Sequence, residues 1–165
     1  LRRHNKKGSL IDLIFIAVGL FVFAVATLLA FKIYDGINTQ IQAHSDIDSN
    51  GKDAANRLEG YYSGVLDNSF LFVCIGLAIG AFIMASLIRV HPIFFPFYII
   101  ALVFVIFFCG IFSNIYQTMA QDAQLATQAE QLLFISSILN YLPLIIGVFG
   151  TILALVMFKL WSNAQ

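Results

Sequence analysis

Four apolar runs separated by polar segments set the reading of this chain: Leu10 to Phe31, Phe70 to Ile88, Ile93 to Tyr116, and a stretch ending at Leu160. Each is long enough to cross a hydrocarbon layer of about 30 Å at a rise of 1.5 Å per residue. The runs are apolar on every face, whereas strands of a membrane barrel alternate over segments of about ten residues. In lipid the backbone must satisfy its own hydrogen bonds, so runs of this kind are helices. The pattern predicts an all-α integral membrane protein with four transmembrane helices in an antiparallel bundle. It is read as one membrane domain over 1–165, with spans at about 10–31, 70–88, 93–116 and 141–160 and polar loops at 33–68 and 117–131.

Local signals place the helix ends. Ser9-Leu10-Ile11-Asp12 has the spacing of a capping box, which makes Ser9 and Asp12 a helix cap. Helix 1 is expected to run past the membrane through Ile33, Ile37 and Ile41 to turn signals at Ser45 to Gly51, and helices 3 and 4 also extend on that side. Asp67-Asn68-Ser69 offers N-cap residues for helix 2. Pro92 and Pro96 sit where a first helical turn tolerates missing donors. Helix 3, with Phe94, Phe95, Phe97, Phe104, Phe107, Phe108 and Phe112, reads as lipid-facing filler. Ser113 to Glu130 lacks Gly and Pro and should be mostly helical. Before the last span, Pro143 predicts a kink into the bundle or at the interface, and Trp161 an interfacial anchor.

Small residues mark packing faces. Gly76-x-x-x-Gly80 in helix 2 predicts a close helix contact, read as one within the chain rather than with a second copy. Gly147 and Gly150, with Thr151 and Ala154, do the same for helix 4.

Composition and charge add orientation. With 60% hydrophobic and 11% charged residues, nothing is left for a separate soluble domain. Arg2, Arg3, Lys6, Lys7, Arg89 and Lys159 fall on one side of an even number of crossings, where the single acid is Asp12. The other side holds Asp35, Asp46, Asp48, Asp53, Glu59, Asp67, Asp122 and Glu130 against Lys32, Lys52 and Arg57. The positive-inside rule then puts both termini on the cytoplasmic or equivalent inner side. The first apolar run exceeds the 7–15 residues of a signal core, so it is read as a span and not as a cleaved leader.

Candidate chemistry is sparse. Asp46-Ile47-Asp48-Ser49-Asn50-Gly51 matches the start of a calcium loop, making Asp46, Asp48 and Asn50 weak candidate ligands. The twelfth position, where a bidentate Glu belongs, is Arg57, and a solvated acidic turn before a short helix is the expected structure. His4, His44 and His91 lie in different polar segments and cannot form a metal triad. No phosphate-binding, zinc-protease or nucleophile-elbow motif occurs, and no span carries a charge at mid-depth, as proton pumps and ion-coupled transporters require. Cys74 and Cys109 lie within spans and are expected to be reduced neighbours, and the long polar loop has none of the cysteines of claudin or tetraspanin outer loops. No catalytic residue, cofactor or specific nucleic-acid contact is expected.

The function read from this pattern is a non-enzymatic structural or assembly subunit of a larger membrane assembly, with the lipid layer of a membrane-containing virus as one setting. Its partners are membrane lipids and other membrane proteins or copies of itself. Two alternatives stand beside it: a homo-oligomeric channel or holin-like pore, for which Ser113, Asn114, Ser136, Ser137 and Asn140 are lining candidates, and an accessory subunit of a respiratory or secretion complex.

Overall fold

The computed structural model describes residues 10–87 and 92–162, with side chains described for 14–86 and 93–157. It is helical over most of these residues: α1 (Leu10–Ala43), α2 (Ser49–Leu87), a 3-10 turn (Pro92–Phe94), α3 (Phe95–Ala120), α4 (Ala126–Gln131), α5 (Leu133–Asn140) and α6 (Leu142–Ser162). α1, α2 and α3 are each long and apolar enough to cross a membrane, and α5 with α6 makes a fourth such unit if taken together across its 69° bend.

The turn at 44–48 lets α1 and α2 fold back on each other. Gln42 Nε2 donates to the carbonyl of Lys52 at 2.9 Å, Asn38 Nδ2 to Asn56 Oδ1 at 3.0 Å, and Tyr34 stacks on Tyr62, so residue numbers fall on α1 as they rise on α2. Tyr34 Oη also donates to the carbonyl of Ala55 at 3.2 Å. Stacking of Tyr34 on Tyr62, with ring centroids 5.1 Å apart, continues the pairing towards the apolar half.

α2 corrects the expected boundaries. The segment 49–68 is helix rather than polar loop, and α2 runs unbroken for 39 residues from Ser49 through Asp67-Asn68-Ser69, which therefore do not start a helix. The physical reason is support: Ala54, Ala55, Leu58 and Glu59 favour helix, and α1 holds the segment by side-chain bonds along its length.

α3 also departs from expectation. Its outer face, Phe97, Phe104 and Phe107, is exposed as lipid-facing filler should be. Its other face, Leu102, Val105, Cys109, Ser113 and Tyr116, is buried at helical spacing and packs against α1, α5 and α6, placing α3 at the centre. Phe112 belongs to this packed side, stacked on Phe21 of α1 at 5.0 Å. The apolar core joins Ala24, Leu28 and Phe31 of α1, Phe70 of α2 and Val105, Cys109 and Tyr116 of α3 to Leu132, Ile135, Leu139 and Leu142. Cys74 packs at its edge, and both thiols are free.

Candidate functional site: the polar junction at the broken helix

Pro143 lies in the first turn of α6, where its missing amide and ring bulk break continuity with the helix before it. α5 is consequently a separate short helix, at whose start Leu132 and Ile135 are buried while Leu133 and Phe134 are exposed. Its flanking residue, Leu132, has no side chain able to cap it. Four orphan amides in that setting need acceptors. Asp67 supplies acceptors for two of them from α2: its Oδ2 and Oδ1 accept from the backbone N–H of Phe134 and Ile135, both at 2.8 Å, and the residue is 5% exposed. Asp67 is thus a helix cap, but of a helix 67 residues away in sequence and not of its own.

Around this cap the hydroxyl groups form a closed set. Ser136 Oγ donates to the carbonyl of Ala129 at 2.7 Å, so its contact of 2.9 Å with Tyr116 Oη has the phenol as donor. Ser113 Oγ donates to the carbonyl of Asn140 at 2.8 Å, satisfying a group released by the helix break, and accepts from Gln117 Nε2 at 3.2 Å. At the rim, Gln128 Nε2 donates to Asp35 Oδ2 at 2.9 Å, and Lys32 Nζ lies 3.6 Å from the same oxygen. Asn38, 6% exposed, also donates to Glu59. Two buried acceptors, Gln128 Oε1 and Asn140 Oδ1, have no hydrogen-bond partner among the described residues.

This arrangement holds helices together and has no catalytic pairing: the serine hydroxyls donate to backbone carbonyls, and neither faces a base. Among the described residues no three His, Cys, Asp or Glu side chains come together as a metal site. Of the calcium-loop candidates, Asp48 is engaged in a helix cap. Asp48 Oδ1 accepts from the backbone N–H of Gly51 at 2.9 Å, capping α2, while Asp46 lies beside Ser45 and His44. A Cβ on Gly51 would come within 3.0 Å of Asp48 Oδ1 and Ile47 Cγ2, so the glycine serves the cap's close approach.

The packing glycines divide. Gly150 faces Leu102 so closely that a Cβ would fall 2.4 Å from its Cδ1, and a Cβ on Gly147 would touch Ile106 at 3.4 Å. Tyr98 Oη donates to the carbonyl of Gly150 at 2.9 Å, which the missing side chain leaves accessible. Gly76 and Gly80 instead have nothing within 4 Å of a would-be Cβ, which corrects the expected contact within the chain. The small face of α2 is turned outward because its other side, through Asp67 and Phe70, is committed to α5 and the core.

The lining candidates for a pore divide as well. Ser113 is buried and Ser136 is bonded into the junction, while Asn114 and Ser137 are exposed. Ser9 and the side chain of Asp12 lie outside the described residues, as do Arg89, His91 and the side chain of Trp161. Sequence reasoning missed the reach of Asp67, Asp35 and Asn38 across helices. A signal for the first was present: Leu132-Leu133-Phe134-Ile135 opens a helix with no cap residue of its own.

These features define the class: a multi-pass helical membrane protein, with several buried polar groups joining its helices. Compared with protein-family models, with curated proteins and with solved structures, the chain has no match.

Proposed function

We propose that this protein is a non-enzymatic structural subunit of a larger membrane assembly. The observation that carries the reading is the unused face of α2. In their most apolar stretches 33% of residues in α1 and 17% in α3 are buried within the chain, against 11% in α2, where Gly76 and Gly80 stand without neighbours. In lipid, bare backbone is a surface that another helix can approach closely, and no hydrophobic force between helices substitutes for that fit. The buried hydroxyls and Asp67 hold this chain's own helices, which supports a scaffold over an enzyme. The pore reading is less well supported, because Ser113 and Ser136 are tied into packing contacts.

In this reading α1, α2, α3 and the bent α5–α6 unit are four antiparallel spans, with both termini on the inner, more basic side. Impermeant labelling of single cysteines at Asn5, Ser49, Ala123 and Ser162 tests the topology: positions 5 and 162 should label from one side, 49 and 123 from the other. For the function, the protein is extracted in mild detergent and the particle's mass and protein content are measured. Stable company, of other proteins or of further copies, is expected. A lone monomer from its native membrane overturns the proposal, as does ion conductance by the purified protein in planar bilayers.

A further inference from the structure

The outward face of α2 carries an apolar seam of period seven. Leu58, Tyr61, Val65, Phe72, Ile75 and Ile79 follow one another at alternating steps of three and four, with exposed Asn68 in the remaining place. The six apolar side chains are 48% to 77% exposed. The seam is not part of the monomer's packing, since α2 turns Ala55, Asp67, Phe70 and Ala85 inward on its opposite side.

Lipid accounts for the half of the seam beyond Phe70 and not for the half before it. Leu58 lies about 18 Å along the helix from Phe70. It stands on the stretch that carries Asp53, Arg57 and Glu59 and that is joined to α1 by amide hydrogen bonds. An apolar row that keeps one register from a polar hairpin into an apolar span fits another helix with the same change of surroundings at the same height.

We propose that the seam is a parallel coiled-coil contact between α2 of this chain and α2 of a second copy. The inference rests on the assembly reading and names the partner within it. Two copies in one membrane share an orientation, so their α2 helices run parallel about a twofold axis that sets like residues opposite each other. A second copy meets the seam with equal length, equal period and a polar residue at the same level. Asn68 spends one donor on the carbonyl of Gly64 at 2.8 Å, and its amide keeps a second donor and an acceptor to pair with Asn68 of the partner subunit. A single polar residue at a seam position is the device that fixes register in parallel coiled coils. Gly64 and Gly76 flank the seam with nothing within 4 Å of a would-be Cβ, so no side chain holds the helices apart. Tyr61 and Phe72, aromatic side chains of about 150–250 Å² each, are the most exposed of the six, and with the four aliphatic ones they present several hundred Å² per copy towards the roughly 800 Å² that one partner gives to a standard interface.

The test uses the full chain in its membrane, with Cys74→Ala and Cys109→Ala as background. Single cysteines are placed by Val65→Cys and Phe72→Cys on the seam, Gly80→Cys beside it and Phe104→Cys on the exposed face of α3, then oxidised. The expected result is a shift of the monomer band to a dimer band for the first two and none for the others. In parallel, the unsubstituted protein is weighed in mild detergent, where an even number of copies is expected. Linking through Gly80→Cys in place of the seam positions overturns the coiled-coil geometry. A single copy bound to other proteins overturns self-pairing and leaves the assembly reading standing, whereas a lone single copy overturns both.

Discussion

The α3–α6 pair and the α1–α2 pair solve the same problem, holding two long helices together, by opposite means. α3 and α6 meet by shape: Leu102 fills the place where Gly150 has no side chain, Ile106 lies over Gly147, and Tyr98 adds a hydrogen bond to the bared carbonyl. α1 and α2 meet by polar side chains near their turn, with Asn38, Gln42 and Asn56 exchanging bonds, and by stacked rings further on, Tyr34 and Phe31 with Tyr62 and Phe23 with Phe70. Few residues in the most apolar stretch of α2 are buried. Shape is what remains where lipid removes the hydrophobic drive between helices, and polar bonds locate helices where the surface faces water. A glycine motif alone therefore does not say which pair is tight. Gly76 and Gly80 have the better-known spacing and no neighbour in the chain, and Gly147 and Gly150 have a less familiar one and the closest contact.

The comparison breaks most visibly at the shape-based pair. Gly150→Leu should cost about 1–3 kcal/mol, because the added side chain falls on Leu102, which is buried and must shift to admit it. Gly80→Leu should stay within about 0.5 kcal/mol in the monomeric protein, as a surface change does. Thermal unfolding in detergent, monitored by far-ultraviolet circular dichroism, compares them, and equal losses would show that the glycine contact to Leu102 is not what holds α6 on α3.

Between the two pairs stands Asp67, the link from α2 to the broken helix. Asp67→Ala leaves the amides of Phe134 and Ile135 buried without acceptors and should cost about 2–4 kcal/mol, with Asp67→Asn intermediate since its one amide oxygen replaces one bond. Hydrogen exchange at those two amides should rise sharply in Asp67→Ala while amides in α1 change little. A uniform change across the chain would instead make the residue a general contributor to stability.

At the polar pair, Asn38→Ala removes the donor shared by exposed Asn56 and half-buried Glu59. The expected cost is about 1–2 kcal/mol, less than at Asp67 because water reaches this part of the hairpin.

How much of this was legible follows from range. Apolar length fixed the membrane class, and Pro143 located the break that the 69° bend displays, because both are properties of contiguous residues. The start of α2 was misplaced by some twenty residues, since Asp67-Asn68-Ser69 satisfies a local cap pattern while the helix through it is decided by α1 alongside. For the same reason the junction was nearly invisible. Ser136, Tyr116 and Asp67 become partners only after folding brings together residues 20 and 67 or more positions apart. A sequence shows that α5 lacks a cap, and not which carboxylate supplies one.

The smallest effect belongs to the turn that joins the polar pair, where a cap and a calcium loop compete for the same residues. As a cap, Asp48 contributes one bond to the first turn of α2, and Asp48→Ala should cost about 1 kcal/mol whether or not calcium is present. As a ligand, it would raise stability only when calcium binds the folded protein, and Asp46→Ala would abolish the same increment. The cap is the stronger expectation. Oδ1 of Asp48 is already engaged, Gly51 is closed down on it, and Arg57 stands where the chelating Glu of such a loop belongs. Unfolding of the parent, Asp46→Ala and Asp48→Ala with chelator and with millimolar calcium separates the two. A shift lost only in Asp48→Ala and indifferent to calcium supports the cap, whereas a calcium-dependent rise in the parent that both variants lose would restore the metal site.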